Sequence, residues 1–241
     1  FKNVSFSYKG ADEAVLSDIS FKAVKGEITA IIGGTGSGKS TLINLIPRFY
    51  DITEGEILID GVNIADMPQH YLRNKIGIVP QKAVLFTGTI NDNIKYGKQD
   101  ATEEEIKYAS DIAEANEFIS EMKDGFDTLI SQGGKNVSGG QKQRLSIARA
   151  LVRNPEIYIF DDSFSALDAK TDAKVRNKLL PEIKNSTVII VAQKISSIMN
   201  ADRIIVLDEG KISGIGTHKE LMLSNEVYRE MASSQLKEDE L

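Results

Sequence analysis

The chain has 241 residues, 41% of them hydrophobic and 27% charged, and its formal net charge is −6. This composition is typical of a folded protein with one or two domains and excludes a collagen-like, low-complexity or disordered chain. It contains no cysteine and only two histidines, which excludes a disulfide scaffold, a Cys-ligated metal or iron–sulfur site and a multi-His metal site. The acidic balance argues against a nucleic acid as partner.

Short apolar runs rich in β-branched residues alternate with longer amphipathic stretches. The runs lie at residues 28–32, 57–59, 76–79, 157–160, 188–191 and 204–207. Several are apolar without alternation, which is typical of strands covered on both faces. Because helical patterns follow most of them, the sequence predicts an α/β fold with a largely parallel core sheet.

Three regions depart from this alternation. Residues 1 to about 24 and 52–65 favour short strands with turns, which predicts an antiparallel lobe. Residues from about 90 to 153 carry no strong strand run and favour helices. Thr102–Glu105 and Thr217–Glu220 each match a capping box, the pattern in which a helix N-cap and the third helical residue exchange hydrogen bonds.

The two ends of the chain carry separate information. The chain begins with Phe1 rather than Met, shows no signal peptide and has no stretch of 18 apolar residues, so we expect it to be part of a longer protein. The charged residues 237–241 predict a frayed C-terminal end.

A glycine-rich segment follows the first apolar run and precedes an apolar helix. It matches the G-x-x-x-x-G-K-[ST] pattern, whose glycines let backbone N–H groups converge on phosphate oxygens. Its residues are Gly33, Gly34, Thr35, Gly36, Ser37, Gly38, Lys39, Ser40 and Thr41. Lys39 can neutralise the β- and γ-phosphates, and the Ser40 hydroxyl can bind Mg²⁺. Asp161 ends an apolar strand and is a second candidate ligand for Mg²⁺.

A second candidate phosphate site lies at 138–141. Ser138 and Gln141 alone could be only a capping box. Gly139 and Gly140 need another explanation, because glycine in a helix costs about 1 kcal/mol relative to alanine. They are consistent with a molecule that approaches this helix end closely, such as a phosphate group.

With these motifs in order, the chain resembles the ATP-binding-cassette (ABC) ATPases over essentially its whole length. The segment 137–141, Val-Ser-Gly-Gly-Gln, matches the family signature, with Val137 where leucine is usual. The resemblance implies that the signature residues contact the γ-phosphate of ATP bound to the opposite subunit of a dimer. Those residues are Ser138, Gly139, Gly140 and Gln141.

Further positions match motifs of the family, in the order in which the family carries them along the chain. Tyr8 matches the aromatic residue that stacks on adenine. An aromatic residue that only packs within the strand lobe would give the same sequence pattern, so this alternative stays open. Gln81 matches the glutamine that reaches Mg²⁺ and the attacking water and links to the membrane domain. A loop that crosses the dimer interface corresponds to Ser165, Ala166, Leu167 and Asp168.

The resemblance also implies the fold and its divisions. We expect an α/β P-loop NTPase (RecA-like) core with an antiparallel β subdomain and an inserted α-helical subdomain. Residues 1–241 would form one ABC ATPase domain, with the core and β lobe at about 1–82 and 154–241. The helical subdomain would occupy about 83–153.

Two segments are similar to the exporter branch of the family: 47–51, Pro-Arg-Phe-Tyr-Asp, and the stretch 85–94 that follows Gln81. Exporter ATPase domains commonly follow a transmembrane domain on the same polypeptide. The resemblance therefore implies a location at the cytoplasmic face of a cell membrane, with ATP and Mg²⁺ as cofactors.

Two catalytic positions depart from the family. The general base is usually glutamate, but here it is Asp162, whose side chain is shorter by about 1.5 Å. The switch histidine is replaced by Gln193, which cannot become a cation. The candidate catalytic residues are therefore Asp162, Gln193, Lys39 and Gln81.

This combination resembles the degenerate-site chain of a heterodimeric multidrug-type exporter. Such a chain would hydrolyse ATP slowly at its own site, while its intact signature completes the site of a partner chain with consensus residues. Three alternatives stay open: an active homodimeric exporter ATPase with reduced turnover, a module that holds ATP without useful hydrolysis, and a soluble ABC ATPase outside transport.

Overall fold

A computed structural model describes residues 1–11 and 13–236. The strands are β1 (Lys2–Phe6), β2 (Leu16–Ile19), β3 (Ile28–Ile32), β4 (Glu54–Glu56), β5 (Leu58–Ile59), β6 (Val62–Asn63), β7 (Ile76–Val79), β8 (Gly88–Thr89), β9 (Leu129–Ile130), β10 (Ile157–Asp161), β11 (Thr187–Val191), β12 (Arg203–Asp208) and β13 (Lys211–Gly216). The helices are α1 (Lys39–Leu45), α2 (Gln69–Asn74), α3 (Ile90–Lys95), α4 (Glu103–Ile112), α5 (Asn116–Glu121), α6 (Gly139–Val152), α7 (Ala169–Ile183), α8 (His218–Ser224) and α9 (Glu226–Gln235). The charged end 237–241, predicted to be frayed, lies outside the described residues.

The chain divides into two compact units. The first combines Phe1–Ile76 with Thr187–Leu241, and the second is Gly77–Ser186. The predicted helical subdomain at about 83–153 lies within the second unit, which also contains β10 and α7. The division of the domain at 82 and 154 remains a prediction.

The first unit is built around β3. Strands β11 and β12 flank it in parallel, with Val188 opposite Ile28 and Arg203 opposite Thr29, and β13 pairs antiparallel with β12. The side chains of β3, β11 and β12 are almost all buried, as the unalternating apolar runs predict. Because the three strands are parallel, the segments that follow them leave the sheet at one edge.

The predicted antiparallel lobe is confirmed in the same unit. Strand β1 pairs antiparallel with both β2 and β4, and β5 forms a hairpin with β6. The two residues of that hairpin turn, Asp60 and Gly61, have φ of 51° and 81°. Positive φ at both turn positions matches the right-handed twist of a hairpin and explains the Asp-Gly pair.

Helices dominate the second unit between about 90 and 153, as predicted. Thr102 caps α4, and Glu105 returns its hydrogen bond, so the predicted capping box is confirmed. The box at Thr217 and Glu220 likewise begins α8 of the first unit. The short antiparallel pair β8–β9 was not predicted, because two-residue strands leave no periodic signal. None of the helices in 1–11 and 13–236 has the length and apolarity that a membrane span requires.

Candidate functional site

The glycine-rich segment forms the connection between β3 and α1, and residues 33–38 are called the phosphate loop below. Gly36 and Gly38 have φ of 82° and 99°, which side-chain-bearing residues rarely adopt. A Cβ on Gly33 would overlap the carbonyl oxygen of Leu207 in the neighbouring strand β12. The glycines at 33, 36 and 38 are therefore required by the path of the backbone itself.

One face of the phosphate loop is open. Gly34, Thr35 and Gly36 are exposed, and a Cβ placed on Gly34 or Gly36 would meet no atom of residues 1–11 and 13–236 within 4 Å. Gly38 is the N-cap of α1 and has no side chain to cap the first helical N–H groups. A bare backbone with open space before it is what an anionic phosphate group requires.

The Lys39 ammonium group lies across this loop. Its Nζ donates hydrogen bonds to the carbonyl oxygens of Gly33 at 2.8 Å and Gly34 at 2.7 Å. The neighbouring Ser40 is exposed. The loop thus combines backbone donors, a cation and a hydroxyl, and these groups match a phosphate with its metal ion.

Tyr8 stands beside the first turn of α1. Its hydroxyl is 3.0 Å from Thr41 Oγ1, and its ring makes edge contacts with Phe6 and Tyr50. The side chain is 39% exposed, so part of the ring remains open to a second ring. Both predicted uses of Tyr8, packing in the lobe and stacking on adenine, are compatible with this position.

Gln193 follows β11 at the edge of the sheet from which the phosphate loop leaves. Val191 is opposite Ile31, and the Ala192 N–H donates to the Ile31 carbonyl at 3.1 Å. Gln193 is therefore level with the beginning of the phosphate loop. The residue is exposed, and its carbonyl oxygen accepts a hydrogen bond from Gln235 Nε2 at 3.0 Å.

Asp161 and Asp162 stand at the carboxyl end of β10 in the second unit. Asp162 has φ of 45°, a left-handed conformation that aspartate adopts more readily than most residues. Its Oδ2 accepts a hydrogen bond from Gln81 Nε2 at 3.1 Å. The sequence predicts catalytic roles for both Gln81 and Asp162, and the structure brings the two side chains together.

Two residues that sequence reasoning missed hold the segment before Gln81. Ser163 Oγ donates to the Val79 carbonyl at 2.6 Å, and Gln143 Nε2 donates to the Pro80 carbonyl at 3.0 Å. Both side chains are buried, at 0% and 1% exposure. Gln143 lies on α6, so the helix that begins at the candidate signature is hydrogen-bonded to Pro80, the residue before Gln81.

The candidate signature forms the first turn of α6. Ser138 is its N-cap, and the box closes with Gln141 N–H to Ser138 Oγ at 3.2 Å and Ser138 N–H to Gln141 Oε1 at 2.8 Å. A Cβ on Gly139 would meet nothing within 4 Å, and one on Gly140 would make an ordinary contact at 3.4 Å with the Ala166 carbonyl. Packing among the residues that the structure describes therefore gives no reason for glycine at 139.

The segment 165–168 links Asp162 to α7. Ser165 Oγ donates to the Asp162 carbonyl at 2.8 Å, and Asp168 caps α7 by accepting from the Thr171 N–H at 3.0 Å. Hydrogen bonds from the Thr171 side chain and then its backbone lower the pKa of Asp168. Hydrogen bonds at Ser165 and Asp168 therefore fix both ends of the segment that contains Ala166 and Leu167.

Comparison with known proteins identifies the family. The family model described as "ABC transporter" matches residues 16–165, which is more than half of the chain. The chain belongs to the ABC transporter family. Its fold is accordingly the P-loop NTPase fold of an ABC nucleotide-binding domain, as the motifs predict.

Individual relatives agree with this assignment. An ABC transporter ATP-binding protein of Mycobacterium tuberculosis is 50% identical over 96% of this chain, and an ATP-dependent lipid A-core flippase of Haemophilus influenzae is 47% identical over 98%. A solved structure of a bacterial Atm1-family ABC exporter with ATP bound superposes with a TM-score of 0.95, at 41% identity over 99% of this chain. The chain spans 40% of the length of both relatives and 41% of that exporter chain.

The donor set of this ABC domain fits magnesium. Ser40 offers a hydroxyl oxygen, Gln81 an amide oxygen and Asp161 a carboxylate, and all three are the hard oxygen donors that Mg²⁺ prefers. Mg²⁺ is usually held by one or two carboxylates together with substrate phosphates and water rather than by a protein cage. A single carboxylate among the three donors is consistent with this coordination.

Proposed function

We propose that the chain is the nucleotide-binding domain of an ABC exporter, which binds Mg-ATP and powers transport by ATP binding and hydrolysis. Its similarity over nearly the whole chain to a lipid A-core flippase and to an ABC exporter with ATP bound supports the exporter assignment. The open phosphate loop supports nucleotide binding. A transmembrane domain, on the same polypeptide, would hold this domain at the cytoplasmic face of the membrane.

In this proposal the backbone N–H groups of the phosphate loop bind the phosphates of ATP, and Lys39 neutralises their β- and γ-oxygens. Ser40, Gln81 and Asp161 hold Mg²⁺, which contributes charge neutralisation at the phosphates when it is bound. Tyr8 stacks on the adenine ring. Asp162 is the general base for the attacking water, and Gln193 contacts the γ-phosphate.

A second ABC domain is the proposed partner. In a head-to-tail dimer, Ser138, Gly139, Gly140 and Gln141 would contact ATP bound to the partner. The segment 165–168 would cross between the two chains. The open face of Gly139 supports this role, because a glycine that internal packing does not need is explained by close approach of an outside group.

This chain's own ATP site is proposed to turn over slowly. A general base must come within about 2.6–3.2 Å of the proton it removes, and Asp162 is about 1.5 Å shorter than the glutamate usual in this family. Gln193 can donate a hydrogen bond but cannot carry positive charge toward the γ-phosphate. The single observation that carries the proposal is this pair of departures in a chain whose signature box is fully formed.

The test compares this chain alone with this chain plus a consensus-site partner. Alone it should bind Mg-ATP and hydrolyse it very slowly. Mixed with the partner it should show ATPase activity that falls more than tenfold with Ser138→Ala but changes little with Asp162→Asn. Robust turnover by the purified chain alone, abolished by Asp162→Asn, would instead establish an active homodimer.

A further inference from the structure

The turn that follows β11 is held by the last residue of helix α9. The side-chain amide of Gln235 binds this turn at two points: Nε2 donates to the Gln193 carbonyl at 3.0 Å, and Oε1 accepts from the Ile195 N–H at 2.9 Å. One planar amide thus spans the backbone on both sides of Lys194. No motif of the sequence singles out Gln235, which is 42 residues away from Gln193.

This double contact fixes the backbone at the position where Gln193 leaves the sheet. Ile195 is fully buried, so the residue on one side of the turn is already anchored by packing. Gln193 itself is exposed, and the bond to its carbonyl supplies the anchor on the other side. Without Gln235, the peptide carrying Gln193 could rotate toward solvent.

Helix α9 is anchored to the rest of its unit by packing and hydrogen bonds. Tyr228 and Ala232 are fully buried, and the Tyr228 hydroxyl lies 2.8 Å from Nδ1 of His218. Asn225 caps the helix through Tyr228 N–H and also donates to the Ser213 carbonyl at 3.0 Å. These anchors do not involve Gln235, so its substitution should leave the helix in place.

We propose that Gln235 is a positioning residue for Gln193, through which helix α9 sets the approach of the Gln193 side chain to the γ-phosphate of bound ATP. This inference rests on the proposed function, which assigns Gln193 to the γ-phosphate. Gln235 touches neither nucleotide nor metal in this scheme and acts only through the turn at 193–195. Substitution of Gln235 should therefore change the affinity only for nucleotides that carry a γ-phosphate.

The experiment measures the affinity of the chain for Mg-AMP-PNP, a non-hydrolysable triphosphate, and for Mg-ADP by calorimetry. Gln235→Ala should weaken Mg-AMP-PNP binding at least threefold and leave Mg-ADP binding within twofold. Gln235→Glu keeps an acceptor for Ile195 N–H but places a carboxylate against the Gln193 carbonyl, so it should weaken Mg-AMP-PNP at least as much. Ser233→Ala, at an exposed serine of the same helix, is the matched control and should change neither affinity.

A double-mutant cycle separates positioning from general damage. Gln193→Ala should lower Mg-AMP-PNP affinity by itself, and adding Gln235→Ala to it should cause no further loss. Equal losses for both nucleotides, an additive double variant or an unchanged Gln235→Ala would overturn the inference. Failure of the unsubstituted chain to bind either nucleotide would overturn the proposed function itself, so the two failures are distinguishable.

Discussion

Gly139 shows how a single residue can be unfavourable for the helix it begins. It lies in the first turn of α6, is exposed and has open space where a Cβ would be. We predict that Gly139→Ala stabilises the isolated chain by about 0.5 kcal/mol, because alanine loses less backbone entropy in a helix. Thermal unfolding followed by circular dichroism should show a melting temperature about 1–2 °C higher.

The same substitution should damage the proposed dimer site. A methyl group at 139 would occupy the space proposed for the partner's nucleotide, so ATPase activity with a consensus-site partner should fall at least tenfold. Gly97→Ala is the contrasting control, because its Cβ would overlap the Arg149 carbonyl and should lower the melting temperature. A lower melting temperature for Gly139→Ala would contradict the assignment of its glycine to an outside group.

At the scale of secondary-structure elements, four helices among the described residues begin with a complete capping box: α3, α4, α6 and α8. In α4 the Glu105 carboxylate accepts from Lys98 Nζ at 2.6 Å and from the Thr102 N–H at 2.9 Å. The hydrogen bond from Lys98 and then the bond from Thr102 lower the pKa of Glu105 below its ordinary value of 4.5. A carboxyl with a lowered folded-state pKa stabilises the fold above its unfolded pKa and loses this contribution as the pH falls through the folded value.

Glu105→Gln tests this dependence. Glutamine keeps an oxygen for the Thr102 N–H but has no charge for Lys98 at any pH. The variant should be less stable than the parent near pH 7, and the difference should shrink as the pH falls below about 4.5. Urea unfolding at several pH values measures it, and a difference that stays constant to the lowest pH of reversible unfolding would rule out the charged contact as its source.

The longer elements and some of their caps were predictable because their signals are local. The phosphate loop, the buried strands and the boxes at Thr102 and Thr217 depend on spacings of a few residues. The bonds from Gln143 to Pro80, Ser163 to Val79 and Gln235 to Gln193 join residues 63, 84 and 42 positions apart. Only the folded topology brings such pairs together, so the supports of the candidate site could not be read from the sequence.

At the scale of the whole molecule, a chain with net charge −6 is proposed to bind a polyanion. The attraction has to be local, and we propose that it comes from backbone N–H groups and Lys39 rather than from the overall charge. In this proposal, Lys39 serves both binding and hydrolysis, whereas the general base and the switch residue lie outside the phosphate loop. The phosphate loop carries every glycine that its conformation requires, whereas Asp162 and Gln193 are proposed to stand in place of the family's usual base and switch residue.

This separation predicts a gain of function. Asp162→Glu combined with Gln193→His should raise ATP turnover at this chain's own site at least tenfold without a large change in Mg-ATP affinity. Glutamate restores about 1.5 Å of reach toward the attacking water, and histidine can become cationic beside the γ-phosphate. The left-handed φ of 45° at 162 suits glutamate less well than aspartate, so a stability loss of about 1 kcal/mol or less should accompany the gain.

Single-turnover hydrolysis by the purified chain measures this gain directly. The matched control is Asp162→Gln combined with Gln193→His, which has the length of glutamate but no base, and it should stay as slow as the parent. If the glutamate and glutamine versions are equally fast, the gain comes from position 193 alone. If neither exceeds the parent while both bind Mg-ATP, residues other than Asp162 and Gln193 limit the site, and the proposed cause of its slow turnover is wrong.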